Sequence, residues 1–261
     1  MRLNIYQIDA FAEKQFEGNP AAVVPLDGWL PDAVMQAIAE ENNLSETVFF
    51  VPSESGYHIR WFTPVKEVEL CGHATLASAY VLFNIMGCKD EVLSFESLSG
   101  VLHVSKTDNL LTLNFPVKHP VACSTPASLT TGLGKAPLEC LKHDDYVAVF
   151  ENEEDVLSIT PNLEALSRLD LRAVIATAPS SEFDFIARVF APKYGIPEDP
   201  VTGSAYSQLM PYWSGNLGKL KLQAKQVSSR GGRLLCELKG DRVLISGSAV
   251  TYMTGSIEIK T

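Results

Sequence analysis

"RWFTPVKEVELCGHATLASAY" fills Arg60–Tyr80, and "RVFAPKYGIPEDPVTGSAYSQ" fills Arg188–Gln208. Both stretches open on Arg-x-Phe-x-Pro, and both run through a short loop of small residues into an apolar segment. Arg60, Phe62 and Pro64 map onto Arg188, Phe190 and Pro192 at an offset of 128. Outward from there the agreement continues. Gly100-x-Leu102-x-Val104 resembles Gly232-x-Leu234-x-Cys236 at 132, and "DNLLTL" from Asp108 resembles "DRVLIS" from Asp241 at 133. Pro31 and Pro161, 130 apart, each open a helical pattern. A period this long is a duplicated domain rather than a solenoid, whose repeat runs about 20–50 residues.

Local patterns agree with a doubled chain. Residues 3–11 and 20–25 read as strands, as do "TVFFV" and "HIRWF", rich in aromatic and β-branched residues. Pro31 starts a helix that ends at Asn42-Asn43. "HATLASAYVLFNIMG" is apolar on all sides and predicts a buried helix stopped at Gly87. Strands follow at 91–96, 99–105 and 110–115. The second half predicts strands near 145–150, 174–178 and 183–190, then a buried helix from Gly203 that Pro211 should kink. Strands near 219–227, 233–239, 242–246 and 249–259 close the chain. The expected architecture is α+β, with two pseudo-two-fold-related lobes, 1–116 and 117–261. Each lobe is a curved, mostly antiparallel sheet rolled around a central helix, and the active site is expected in the cleft between them. Residues 116–144 are read as the crossing.

The 261 residues carry a net charge of −10 with 46% apolar residues, which fits a folded protein and argues against a nucleic-acid partner. No stretch is long and apolar enough for a membrane span, and no signal-peptide pattern is seen, so a cytoplasmic location is expected. Five scattered cysteines without a C-x-x-C pair, and no H-E-x-x-H, predict neither a disulfide framework nor a metal site.

Gly72-His73 and Thr202-Gly203-Ser204 stand where loop turns into buried helix. Unpaired N–H groups and the dipole there favour a carboxylate or phosphate. At the same offset Cys71 faces Asp199, an arrangement suited to two-sided proton transfer. Each has an ordinary reading as well: Asp199 as a turn residue before Pro200, Cys71 and His73 as packing residues. Glu46 begins an apolar strand, where desolvation raises a carboxylate toward the range of a general base, and the second half has no counterpart.

These residues resemble the PhzF-like family of phenazine biosynthesis, distant relatives of diaminopimelate epimerase. The marks are "IDAFAEKQFEGNPAAVV" (8–24), "NLSETVFF" (43–50), "RWFTPVKEVELCGHATLASA" (60–79) and "FAPKYGIPEDPVTGSA" (190–205). The resemblance implies a cofactor-independent isomerase that moves a proton, and with it a double bond, on a small carboxylated metabolite. It implies Glu46 as general acid/base, with Asp199 and His73 as further catalytic groups. Asn19, Gly72, Thr202, Gly203 and Ser204 would bind substrate. A homodimer is expected at family level. Diaminopimelate epimerase pairs two cysteines where this chain has Cys71 and a carboxylate, which argues against that substrate. An epimerase or racemase of a small acid, or a non-catalytic ligand-binding protein, are the alternative readings.

Overall fold

Successive residues of a strand point to opposite faces, and several strands here are buried on both faces. In the computed structural model, which describes residues 1–260, the chain divides into two compact units. One holds Met1–Asn114 together with residues 246–260, the other Phe115–Ile245. The last strand, Ala249–Glu258, is antiparallel to the first and packs with the first unit.

The first unit begins with β1 (Arg2–Ala10), β2 (Asn19–Pro25), α1 (Asp32–Asn42) and β3 (Glu46–Ser53). It continues through β4 (Gly56–Phe62), β5 (Glu67–Val68), α2 (Gly72–Tyr80), β6 (Val92–Ser97), β7 (Gly100–Thr107) and β8 (Leu110–Pro116). A wider π-turn, Val81–Ile85, extends α2 before Gly87, whose φ of 73° ends the segment. Strand β2 is parallel to β3, and β3 is antiparallel to β4. Strand β4 is antiparallel to β5 but parallel to β6, and β6 and β7 form a hairpin. Ala22, Val24, Phe49 and Val51 pack with Met35 and Ile38 of α1 in one core cluster. By the two-residue period, Asn19, Ala21, Glu46, Val48 and Phe50 take the opposite face. Helix α2 packs against β1, β2 and β3 there, with residues 72–79 all buried.

The second unit repeats this pairing. It contains β9 (Val121–Ala122), α3 (Ala127–Leu133), β10 (Glu139–Lys142), β11 (Tyr146–Val149), α4 (Glu153–Leu157) and α5 (Leu163–Ser167). Then come β12 (Val174–Pro179), β13 (Phe185–Ala191), β14 (Ile196–Asp199), α6 (Tyr206–Leu217), β15 (Lys221–Gln226) and β16 (Gly232–Lys239). Strand β11 is parallel to β12, β12 is antiparallel to β13, and β13 is antiparallel to β14 but parallel to β15. That is the order seen for β2 through β6. Trp213 of α6 stacks on Phe185 at 5.5 Å and donates its indole N–H to Thr177 at 3.1 Å.

The Arg-x-Phe repeat has a shared structural role. Arg60 forks onto Glu67 with two bonds of 2.7 Å, and Arg188 forks onto Glu198 at 2.8 and 2.9 Å. Each guanidinium also lies over the phenylalanine two residues on, at 5.2 Å for Phe62 and 5.0 Å for Phe190. Helix α6 runs unbroken through Pro211. Proline lacks an N–H, so Ser207, four residues earlier, loses its helical donor. The Lys118 N–H bonds the Ser207 carbonyl instead, at 3.0 Å. Residues 116–144, expected as a crossing, hold β9, α3 and β10.

Candidate active site

Strand β3 starts at Glu46, opposite Ala21 of β2. Asn19 lies two residues before Ala21, so both polar side chains project from the sheet face that α2 covers. His73, the second residue of α2, meets them. Its Nε2 is 3.1 Å from Glu46 Oε2, and the Asn19 side-chain amide donates to its Nδ1 at 3.1 Å. Cys71 Sγ lies 3.5 Å from the same Nδ1. All four side chains are buried: Asn19 at 0% exposure, His73 at 4%, Cys71 at 7% and Glu46 at 8%.

Burial and hydrogen bonding both favour a neutral ring. Burial pushes the His73 pKa down to about 3, so the imidazole is neutral at pH 7 even with a carboxylate beside it. An amide N–H pointing at Nδ1 also requires a lone pair there, which leaves the proton on Nε2, facing Glu46. A buried carboxylate with a neutral N–H donor at its side can accept a proton and return it.

Asn19 is itself held in place by Gly18. The φ of Gly18 is +64°, and a Cβ there would sit 2.1 Å from the Ala10 carbonyl oxygen, so only glycine brings the chain this close before β2. At the start of α2, Cys71 is the cap residue but makes no side-chain capping bond. The first-turn N–H groups therefore keep the positive end of the dipole without a side-chain acceptor from the cap. Glu46, Cys71 and His73 offer O, S and N donors within 4.8 Å of one another, a set that zinc can accept. In this arrangement His73 turns Nε2 to Glu46 and Nδ1 to Asn19 and Cys71.

In the second unit Asp199 ends β14 and Thr202 precedes a short 3₁₀ turn, Gly203–Ala205, that leads into α6. The Thr202 hydroxyl donates to Asp199 Oδ2 at 2.5 Å. Buried Gln226 latches this loop from both ends. Its amide N–H donates to the Asp199 carbonyl at 2.7 Å, and its oxygen accepts the Thr202 N–H at 2.9 Å. Ser228 donates to the Pro200 carbonyl at 2.9 Å. Ser204 is half-buried on the 3₁₀ turn.

Within the first unit the structure thus brings together Asn19, Glu46, Gly72 and His73, and within the second Asp199, Thr202, Gly203 and Ser204. Sequence reasoning missed Gln226 and Ser228, more than 20 residues along the chain from the loop they hold, and nothing in the string marks them. Asn19, expected to bind substrate, is buried with its side-chain amide bonded to His73.

A family model for phenazine biosynthesis-like proteins matches residues 8–255. A Pseudomonas aeruginosa protein named as an uncharacterized isomerase is 50% identical over 259 residues, covering 99% of this chain and 100% of its own. The crystal structure of a PhzF-family phenazine biosynthesis protein from Enterococcus faecalis superposes with a TM-score of 0.96 at 47% identity, covering 99% of this chain and 100% of that one. A predicted epimerase from Pseudomonas aeruginosa shares the fold, with a TM-score of 0.76 at 19% identity over 99% of this chain and all of its own. The chain belongs to the PhzF family of phenazine biosynthesis-like proteins and is an isomerase of that type.

Proposed function

We propose that the enzyme moves a proton from one carbon of a small carboxylated metabolite to another, shifting a double bond without a cofactor. Glu46 is the base. The observation that carries this reading is its buried carboxylate 3.1 Å from Nε2 of a neutral histidine. Glu46 takes the proton from a carbon next to the unsaturated or carboxyl-bearing system and returns it elsewhere. His73 donates from Nε2 to the developing charge, and burial strengthens that interaction. The N–H groups at Gly72 suit the substrate carboxylate. Asp199, with the Thr202–Ser204 turn, is proposed as the second group that binds substrate and handles protons. A cytoplasmic, homodimeric enzyme is the setting we propose, and light scattering on the purified chain tests the dimer.

The reaction is tested by incubating the protein with a panel of small unsaturated carboxylic acids in D₂O and following proton NMR. The expected result is deuterium incorporation with migration of the double bond. Inversion at a single carbon without migration would make the enzyme an epimerase. Binding of a panel acid without any exchange would make the protein a ligand carrier.

A further inference from the structure

In the second unit, among residues not assigned to catalysis, two cysteines face each other across a strand pair. Strand β9 is antiparallel to β10, with Ala122 opposite Leu141 and Val121 opposite Lys142. The next pair in that register is Cys123 with Cys140, and the Cys123 N–H donates to the Cys140 carbonyl at 2.9 Å. Their sulfurs lie 3.6 Å apart. Cys140 is buried in the core cluster that also holds Leu129, Leu133 and Tyr146, while Cys123 packs on its edge and stays partly open to solvent.

We propose that Cys123 and Cys140 are a modification site that closes to a reversible disulfide on exposure to a peroxide. A hydrogen-bonded pair on antiparallel strands has its Cα atoms about 5.5 Å apart, within the range a disulfide spans, and a side-chain rotation at Cys123 shortens the gap toward the bonded length of about 2 Å. The roles of the two thiols differ. Burial, with Cys123 beside it, pushes the Cys140 thiol up to about 12, so that sulfur keeps its proton. Accessible Cys123 therefore attacks first. Its thiolate takes one peroxide oxygen as the O–O bond breaks; a sulfenic acid forms, and the other oxygen leaves as water after protonation. Cys140 then gives up its proton as its sulfur attacks Cys123. The S–S bond forms, the S–O bond breaks, and the second oxygen leaves as water. Two thiols lose two electrons and two protons to one peroxide, and a dithiol reductant reverses the change. The bridge closes a loop that contains α3 and pins the two-residue strand β9 to β10.

Peptide mapping under non-reducing conditions, before and after treatment of the full chain with hydrogen peroxide, tests this. The expected product is one linked peptide pair joining Cys123 to Cys140, lost again with dithiothreitol. The thermal midpoint of the oxidised protein should rise by about 5 °C. Cys123→Ser, at a partly exposed position that tolerates a polar side chain, should abolish both the linkage and the rise. Oxidation of Cys123 to a sulfinic acid with the Cys140 thiol intact would overturn the proposal. So would linkage of either cysteine to a different partner, or free thiols at both positions under peroxide that oxidises Cys88.

Discussion

Asn19 sets the tautomer of His73, and that sets what the histidine can do for Glu46. Replacing Asn19 with Leu removes the donor at Nδ1 and lets the ring proton move to either nitrogen. The expected result is a fall in kcat of about 10–100-fold with KM little changed, since an orienting partner and not a binding group is lost. Restoration of most activity by Asn19→Gln would support the assignment, and an unchanged kcat in Asn19→Leu would contradict it. His73 also has a consequence for acid stability. Its folded pKa of about 3 lies below the ordinary 6.5, so the unfolded chain binds a proton through that interval and the folded chain does not. The stabilisation is complete above pH 6.5 and is lost as pH falls toward 3, by up to about 1.4 kcal/mol per pH unit. Urea titrations from pH 7 to pH 4 should show this component in the wild type and not in His73→Gln. Identical pH profiles for the two proteins would mean the buried ring titrates normally.

At the scale of elements, the Asp199–Thr202 loop is shaped by a side chain from another strand. Gln226 makes bonds to both ends of the loop from a fully buried position at the end of β15. Gln226→Leu leaves the Thr202 N–H without its acceptor and should cost about 1–3 kcal/mol. Hydrogen exchange should accelerate at residues 199–205 in particular, whereas a uniform acceleration across the second unit would deny Gln226 its latching role. Pro211 makes the opposite case. A proline inside a helix costs about 3 kcal/mol, yet here Lys118 already satisfies the carbonyl the ring leaves open. Pro211→Ala should therefore raise stability by about 1 kcal/mol at most. A gain near the full proline penalty, measured by chemical denaturation, would show that the Lys118 bond contributes little.

Legibility in the sequence follows from these same interactions. The longer strands and helices α1 and α2 were readable, because apolar runs and end signals such as Pro31, Asn43 and Gly87 mark them, whereas β5, β9, β10 and β14, of two to four residues each, were not. Helices α4 and α5 have five residues each, too short for a helical period to show, and rest on side-chain caps from Asn152 and Asn162. Helix α6 continues through Pro211, and the carbonyl its missing N–H leaves open is taken up by a residue 93 positions away, which no local pattern could show. Glu46 and His73 could be named from motifs, and the two-residue strand period accounts for why Glu46 faces α2. The tether from Asn19 and the latch from Gln226 depend on which strands pair, which no local pattern encodes.

Across the whole molecule, duplication accounts for both the likeness and the difference between the units. Strand order, the parallel step from β4 to β6 and from β13 to β15, and the forked Arg–Glu pair occur in each. The chemistry is not duplicated. At the offset of 128, Val174 stands where Glu46 does, and Asp199 where Cys71 does. One unit therefore carries the buried carboxylate and its neutral histidine. The claim on which the functional account rests is that Glu46 transfers the proton, and its most direct test is deuterium wash-in from D₂O to a turned-over acid, compared between the wild type and a folded Glu46→Gln variant. The account predicts a loss of about 10³-fold or more in the variant. Wash-in at the wild-type rate would contradict it.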